Sequence, residues 1–179
     1  MAIIPGIYAS QISGHLQTGN FFLIQQLTPS AVSTVTFSSI PATYKSLQVR
    51  FNLITSYSNA DHELQFNGDT GTNYATHWLY GNGTSVVSGG LTGGTFIELN
   101  YNGTISSVYP NVGILDVIDY ANTNKNKTIK FLTGANNNTS GGTMEIDSGV
   151  WLSTAAITSL TFKPTSGTYT GTISLYGVS

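Results

Sequence analysis

Asp69-Thr70-Gly71 is the triplet that carries the nucleophile-activating aspartate of aspartic proteases. A dimeric protease needs only one copy per chain, because two carboxylates across a symmetry axis share a proton and split their roles. Here the triplet follows Phe66-Asn67-Gly68, which sets the aspartate in a glycine-flanked turn, so the expected role is an Asx turn rather than catalysis. His62 stands between Asp61 and Glu63, with His77 fifteen residues later and His15 near the start. On a strand Asp61 and Glu63 share one face while His62 takes the other, so the group does not converge on a zinc ion, which needs three or four ligands meeting at a point. Structural or interface roles are expected for the histidines, with one alternative left open: equivalent histidines of three subunits meeting on a symmetry axis.

Asp116 and Asp119 interrupt the apolar run Ile114-Leu115-Asp116-Val117-Ile118-Asp119-Tyr120. Strict alternation puts Leu115, Val117 and Asp119 on one face and Ile114, Asp116, Ile118 and Tyr120 on the other. An unpartnered buried carboxylate is costly, so at least one of the two should pair with a hydroxyl, an amide or a lysine, or lie at a strand end. A glycosidase would require two carboxyls about 5 to 10 Å apart in a cleft, and Asp116 with Glu98 or Glu145 would have to supply them. Nothing beyond residue type favours that pairing. The run Asn122-Thr123-Asn124-Lys125-Asn126-Lys127, with Lys130, is the basic cluster of the chain and reads as a solvated hairpin tip. Without interleaved aromatics it is no platform for nucleic acid. Asn82-Gly83-Thr84 and Asn102-Gly103-Thr104 read as turns.

Composition narrows the field. Charged residues make up 8% of the 179, far below the usual quarter, while 40% are apolar and 11% aromatic. Such a chain folds, and wets its surface with hydroxyls and amides rather than charges. A net charge of -2 offers no basic field for a phosphate backbone. Without cysteine there is neither a disulfide framework nor a thiolate nucleophile. No cofactor, metal or catalytic residue is expected, and the chain is read as no enzyme. The opening carries no basic n-region or apolar h-region, and no stretch approaches 18 uninterrupted apolar residues, so neither general secretion nor a membrane span is expected.

The elements that must position these residues are strands. Residues 1–20 read as an extended arm, because Pro5, Gly6, Gly14 and Gly19 break any helix. Its isoleucines need a recipient, which is as readily a neighbouring subunit as the chain's own domain. Residues 21–179 form one domain. Strands are expected at Phe21 to Leu27, Val32 to Phe37, Leu47 to Leu53, Glu63 to Phe66, Trp78 to Tyr80, Ser85 to Val87, Phe96 to Tyr101, Val112 to Tyr120, Thr128 to Thr133, Gly142 to Leu152, Ala156 to Phe162 and Tyr169 to Tyr176. Turns are expected at Thr28-Pro29-Ser30, Asn67-Gly68-Asp69, Gly89-Gly90, Gly93-Gly94, Asn102-Gly103, Asn136 to Gly142 and Pro164 to Gly167. This is an all-β chain: a jelly-roll-like sandwich of about eight to eleven short antiparallel strands in two packed sheets.

Several long segments, in order, resemble one family. They are Ile4-Pro-Gly-Ile-Tyr-Ala-Ser-Gln-Ile-Ser-Gly-His15, Phe37-Ser-Ser-Ile-Pro-Ala-Thr-Tyr-Lys-Ser-Leu-Gln-Val-Arg50, Phe66-Asn-Gly-Asp-Thr-Gly-Thr-Asn-Tyr-Ala-Thr-His-Trp-Leu-Tyr-Gly-Asn-Gly83, Asp116-Val-Ile-Asp-Tyr-Ala-Asn-Thr-Asn-Lys-Asn-Lys-Thr128 and Gly149-Val-Trp-Leu-Ser-Thr-Ala-Ala-Ile-Thr-Ser-Leu160. Together they resemble structural proteins of tailed bacteriophages, including marine and cyanobacterial viruses, and the likeness runs to Ser174-Leu-Tyr-Gly-Val178. The chain departs from the family pattern at Leu152, where Arg is common, and in its shorter stretch between Gly83 and Gly113.

The resemblance implies a capsid decoration, or cement, protein: a homotrimer seated on the outside of the phage head and bound to the major capsid protein, with other decoration proteins as further partners. It is expected to be made in the host cytoplasm and to reside on the virion. The alternative is a tail-associated or head-fibre protein that recognises a host surface glycan through loops around 82–95 and 134–142. A virion-bound depolymerase would need the carboxylate pair discounted above. Residues expected at an interface with the capsid or a neighbouring subunit are Ile4, Ile7, Tyr8, Ile12, His15, Arg50, His77, Trp78 and Trp151. Tyrosine and tryptophan supply amphipathic contact area at low entropic cost.

Overall fold

A computed structural model describes residues 20–101, 107–136 and 142–179. Ile4, Ile7, Tyr8, Ile12 and His15 lie outside the described residues, as do the expected turns at Asn102-Gly103 and most of Asn136 to Gly142. Thirteen strands are formed among the described residues: β1 (Phe21–Leu27), β2 (Ser30–Val32), β3 (Val35–Phe37), β4 (Ser46–Thr55), β5 (His62–Phe66), β6 (Tyr74–Gly81), β7 (Val86–Gly94), β8 (Ile97–Leu99), β9 (Asn111–Ile118), β10 (Lys127–Asn136), β11 (Gly142–Trp151), β12 (Leu160–Pro164) and β13 (Tyr169–Val178). They build two antiparallel sheets stacked as a jelly-roll-like sandwich. The larger runs β1-β13-β4-β9-β10-β11-β6-β7, with β2 also paired to β13, and the smaller runs β3-β12-β5-β8.

Burial follows the two-residue period of a pleated strand. On β4, Leu47, Val49, Phe51 and Leu53 point inward, and on β10 Ile129 and Phe131 do the same. The smaller sheet answers with Val35, Phe37, Leu64, Phe66, Ile97, Leu99, Leu160 and Phe162, and all of these join one core cluster.

Several expectations are corrected. The single strand at Val32 to Phe37 is two, because the chain changes sheet at Ser33-Thr34: β2 pairs with β13, β3 with β12. The strand expected from Ala156 begins at Leu160; before it, Asn67 holds the chain by accepting from Thr158 N and Ser159 N at 2.8 and 3.1 Å and donating to Ala156 O at 2.8 Å. Gly89-Gly90 and Gly93-Gly94 are not hairpin turns but lie inside β7. Glycine is required at Gly89 by close approach, since a Cβ there would come within 2.5 Å of the Trp78 ring on β6. The Asn67-Gly68 turn forms as expected, with positive φ at both residues and Asp69 N donating to Phe66 O at 2.9 Å. So does the Asn82 turn, where Oδ1 accepts from Thr84 N and Ser85 N at 3.0 and 2.9 Å.

Candidate functional site

β11 carries the irregularity from which the candidate sites follow. In the run Thr143-Met144-Glu145-Ile146-Asp147, ordinary alternation would bury Met144 and Ile146 and expose the acids. The strand does the reverse: Met144 and Ile146 are 66% and 53% exposed, whereas Glu145 and Asp147 are 0% and 1% exposed. The cause lies at its other end. Trp151 packs inward on Tyr74 and Phe66, and Gly149 must face Ile97, where a Cβ would come within 2.6 Å of Cγ2. With a period of two, inward Trp151 and Gly149 force Asp147 and Glu145 inward as well.

On the outer face this inversion completes an apolar row. Ile114, Leu132, Ile146 and Leu79 are consecutive cross-strand partners on β9, β10, β11 and β6. Each is at least 40% exposed, and Val112 and Met144 extend the patch along the neighbouring row. Gly134 leaves a shallow groove of about 310 Å³ between those rows. A polar row borders it on the other side, where Asp116 accepts from Gln48 Nε2 at 2.7 Å and pairs with Lys130 at 3.2 Å. Arg50 ends the apolar row opposite Ile114, its guanidinium 4.7 Å from the centroid of Phe21 and 5.0 Å from that of Tyr176. His77 ends the polar row, opposite Ser148.

On the inner face the two acids are held by successive backbone groups. Tyr101 N donates to Glu145 Oε1 at 2.8 Å and Asn100 N to Asp147 Oδ2 at 3.0 Å. Their second oxygens, Glu145 Oε2 and Asp147 Oδ1, have no partner, and neither does either side-chain atom of Asn100, itself fully buried. Burial raises both carboxyls above their ordinary range, and at Glu145 the adjacent Asp147 charge adds to it. On β5, His62 is wholly buried, its Nδ1 2.6 Å from Tyr169 Oη and its Nε2 3.4 Å from Asn111 Oδ1. Desolvation lowers its pKa to about 4, so the imidazole is neutral.

Of the residues expected at an interface, Arg50 and His77 stand on the outer face. Trp78 and Trp151 do not: they are 8% and 3% exposed and occupied inside their own chain. Trp78 stacks on Tyr101 at 4.0 Å, and Trp151 donates from Nε1 to Asp69 Oδ2 at 2.7 Å. Asp69 forms the expected Asx turn, accepting from Gly71 N at 2.8 Å. Asp116 and Glu145 lie on opposite faces of the sheet and form no carboxylate pair. Asp119 is at a strand end and pairs with Lys125. Its left-handed backbone reverses the alternation, so Tyr120 turns inward. The hairpin tip is not uniformly solvated, for Lys127 is buried and donates to Asn122 O, Lys125 O and Thr154 O at 2.6, 2.7 and 3.1 Å. Among the described residues no three His, Cys, Asp or Glu side chains gather as metal ligands.

No family model matches the chain, and no curated protein matches it. Among solved structures, galectin LEC-6 of Caenorhabditis elegans is similar at 10% identity and a TM-score of 0.34, over 87% of this chain and 95% of the galectin. The class defined by the fold is an all-β sandwich of two antiparallel sheets.

Proposed function

We propose that the chain is a non-enzymatic virion protein that decorates the outside of a bacteriophage head and stabilises the major capsid lattice, acting as a homotrimer. The observation that carries this reading is the row Ile114, Leu132, Ile146 and Leu79, exposed on four adjacent strands. A chain with so few charges has little else to oppose self-association, and contiguous exposed apolar surface of this kind marks a protein interface. Its aliphatic centre with Arg50 at one end is the composition of an interface core with a polar margin. The sequence resemblance supplies the partner class, and a lattice multiplies weak contacts through effective concentration. The 1–20 arm is assigned a second contact. Deleting residues 1–16 is expected to leave a folded domain that no longer occupies heads; full occupancy after that deletion would remove the arm from the reading.

A second reading, glycan recognition from the tail or a head fibre, is favoured by one feature. The β6–β7 turn and the facing ends of β10 and β11 flank an open depression of about 320 Å³ lined by Gly81, Asn82, Ala135, Asn136, Gly142 and Thr143 among others. Its amides and hydroxyl suit sugar hydroxyls. Copy number separates the two readings, since a tail receptor binder is present in few copies and a cement protein covers the head.

A further inference from the structure

We propose that Glu145, Asp147 and the side-chain oxygen of Asn100 form a binding site for a hard divalent cation of calcium's size, which ties β11 of the larger sheet to the chain leaving β8 of the smaller one. This site is independent of the decoration reading.

Each carboxylate spends one oxygen on a backbone N–H, from Asn100 and from Tyr101, and keeps the other without a donor. Asn100 is the separate observation. It is 0% exposed, and neither its amide oxygen nor its amide nitrogen has a partner. Its backbone N–H lies 3.0 Å from Asp147 Oδ2, and ordinary bond lengths keep its amide within about 5 Å of that N–H. Buried polar atoms in native proteins are almost always satisfied, and here three oxygens without a donor, two of them on adjacent carboxyls whose charge burial disfavours, make a site where a cation would displace the proton and stabilise both charges.

The surrounding charge favours the same class of ligand. Asp61, Glu63 and Glu98 gather with the pair, giving five of the chain's eight acidic residues at this end of the sandwich. Lys163, paired with Glu63 at 3.6 Å, is the nearby cation among the described residues. Calcium accepts carboxylate and amide oxygens in flexible geometry, whereas magnesium sheds its water reluctantly and fits a wholly buried site poorly.

The test uses the full chain freed of metal with EDTA. Titration calorimetry with calcium chloride near neutral pH is expected to give one site per chain, and thermal unfolding a midpoint several degrees higher in about 5 mM calcium than in EDTA, with magnesium giving less. Terbium is expected to luminesce when Trp78 and Tyr101 are excited, because Tyr101 touches the site through its own N–H, and calcium should quench that emission by displacement. Glu145→Gln keeps the shape and removes the carboxylate that the cation would ionise; it should fold without metal at least as well as the wild type and lose tenfold or more in calcium affinity. Asp147→Asn serves the same purpose should Glu145→Gln fold poorly, and Asp116→Asn on the outer face should leave binding unchanged. A folded wild type giving neither calcium heat nor terbium emission overturns the proposal, and so does a calcium response that survives both inner-face variants.

Discussion

The indole of Trp151 donates to Asp69 Oδ2 at 2.7 Å, joining the last residue of β11 to the turn that follows β5. The same carboxylate accepts from Asn73 Nδ2 at 3.0 Å and Gly71 N at 2.8 Å, so one aspartate closes its own turn and ties it to the end of β11. Those bonds, Trp151's first, hold its carboxyl below the ordinary range. Asp69→Ala is therefore expected to destabilise the fold by about 2 to 3 kcal/mol, the range for bonds to a charged acceptor. Urea unfolding with tryptophan emission as the probe checks it, and a shift under about 0.5 kcal/mol would show the bond to be incidental.

His62 sets the acid side of the stability profile. Its folded pKa of about 4 lies below the unfolded value of 6.5, so the unfolded chain takes up a proton that the folded chain refuses. The stability that His62 contributes is fully present above pH 6.5 and is lost on acidification to about pH 4, by on the order of 3 kcal/mol over that window, while the raised carboxyls of Glu145 and Asp147 act in the opposite sense as pH rises. Asp69 adds a loss of the same sign at lower pH, because its depressed carboxyl must be protonated. Replacing His62 by Gln should flatten the profile between those limits when urea midpoints are compared across pH; an unchanged slope would assign the loss to other groups.

Lys127 is a buried cation whose three partners are all main-chain carbonyls. Burial lowers its pKa, and Asp119 opposes that shift. Lys127→Met leaves those carbonyls without a donor and is expected to cost about 3 kcal/mol, with the loss centred on the 122–127 tip and the 154 segment. Hydrogen exchange at those residues is the readout, and protection equal to the wild type's would contradict the clamp.

Much of this fold was legible in the sequence because period-two patterning fixes which face a strand buries. β4 and β10 follow it, and the Asn67-Gly68 and Asn82-Gly83 turns form where left-handed geometry was expected. What escaped was decided by neighbours. Gly89 looks like a turn until Trp78 is placed across it, and Lys127 looks solvated until the carbonyls of Asn122, Lys125 and Thr154 close over it. β11 misleads most, because its exposed Met144 and Ile146 and buried Glu145 and Asp147 obey the parity of Trp151 rather than their own polarity. A local conflict of that kind is where function is to be sought. Here it accounts for both the apolar outer row and the acidic inner pair. Trp78 and Trp151 suit an interface by residue type, because aromatics enrich interfaces, but a sandwich core has first use of them.

The outer row makes its own prediction. Leu132→Lys with Ile146→Glu changes cross-strand partners already 40% and 53% exposed and sets opposite charges facing each other, so folding should be affected by less than about 1 kcal/mol. Attachment to particles should be lost, read by co-sedimentation of the purified variant with undecorated heads. Undiminished attachment would move the contact off this face.

The most direct measurement is a cryo-electron microscopy reconstruction of the particle that carries this chain, with its copies located and counted. The decoration reading predicts threefold clusters spread over the whole head, with Ile114, Leu132 and Ile146 covered by the shell or by a neighbouring copy. A few copies confined to the tail, with that row open to solvent, would contradict it.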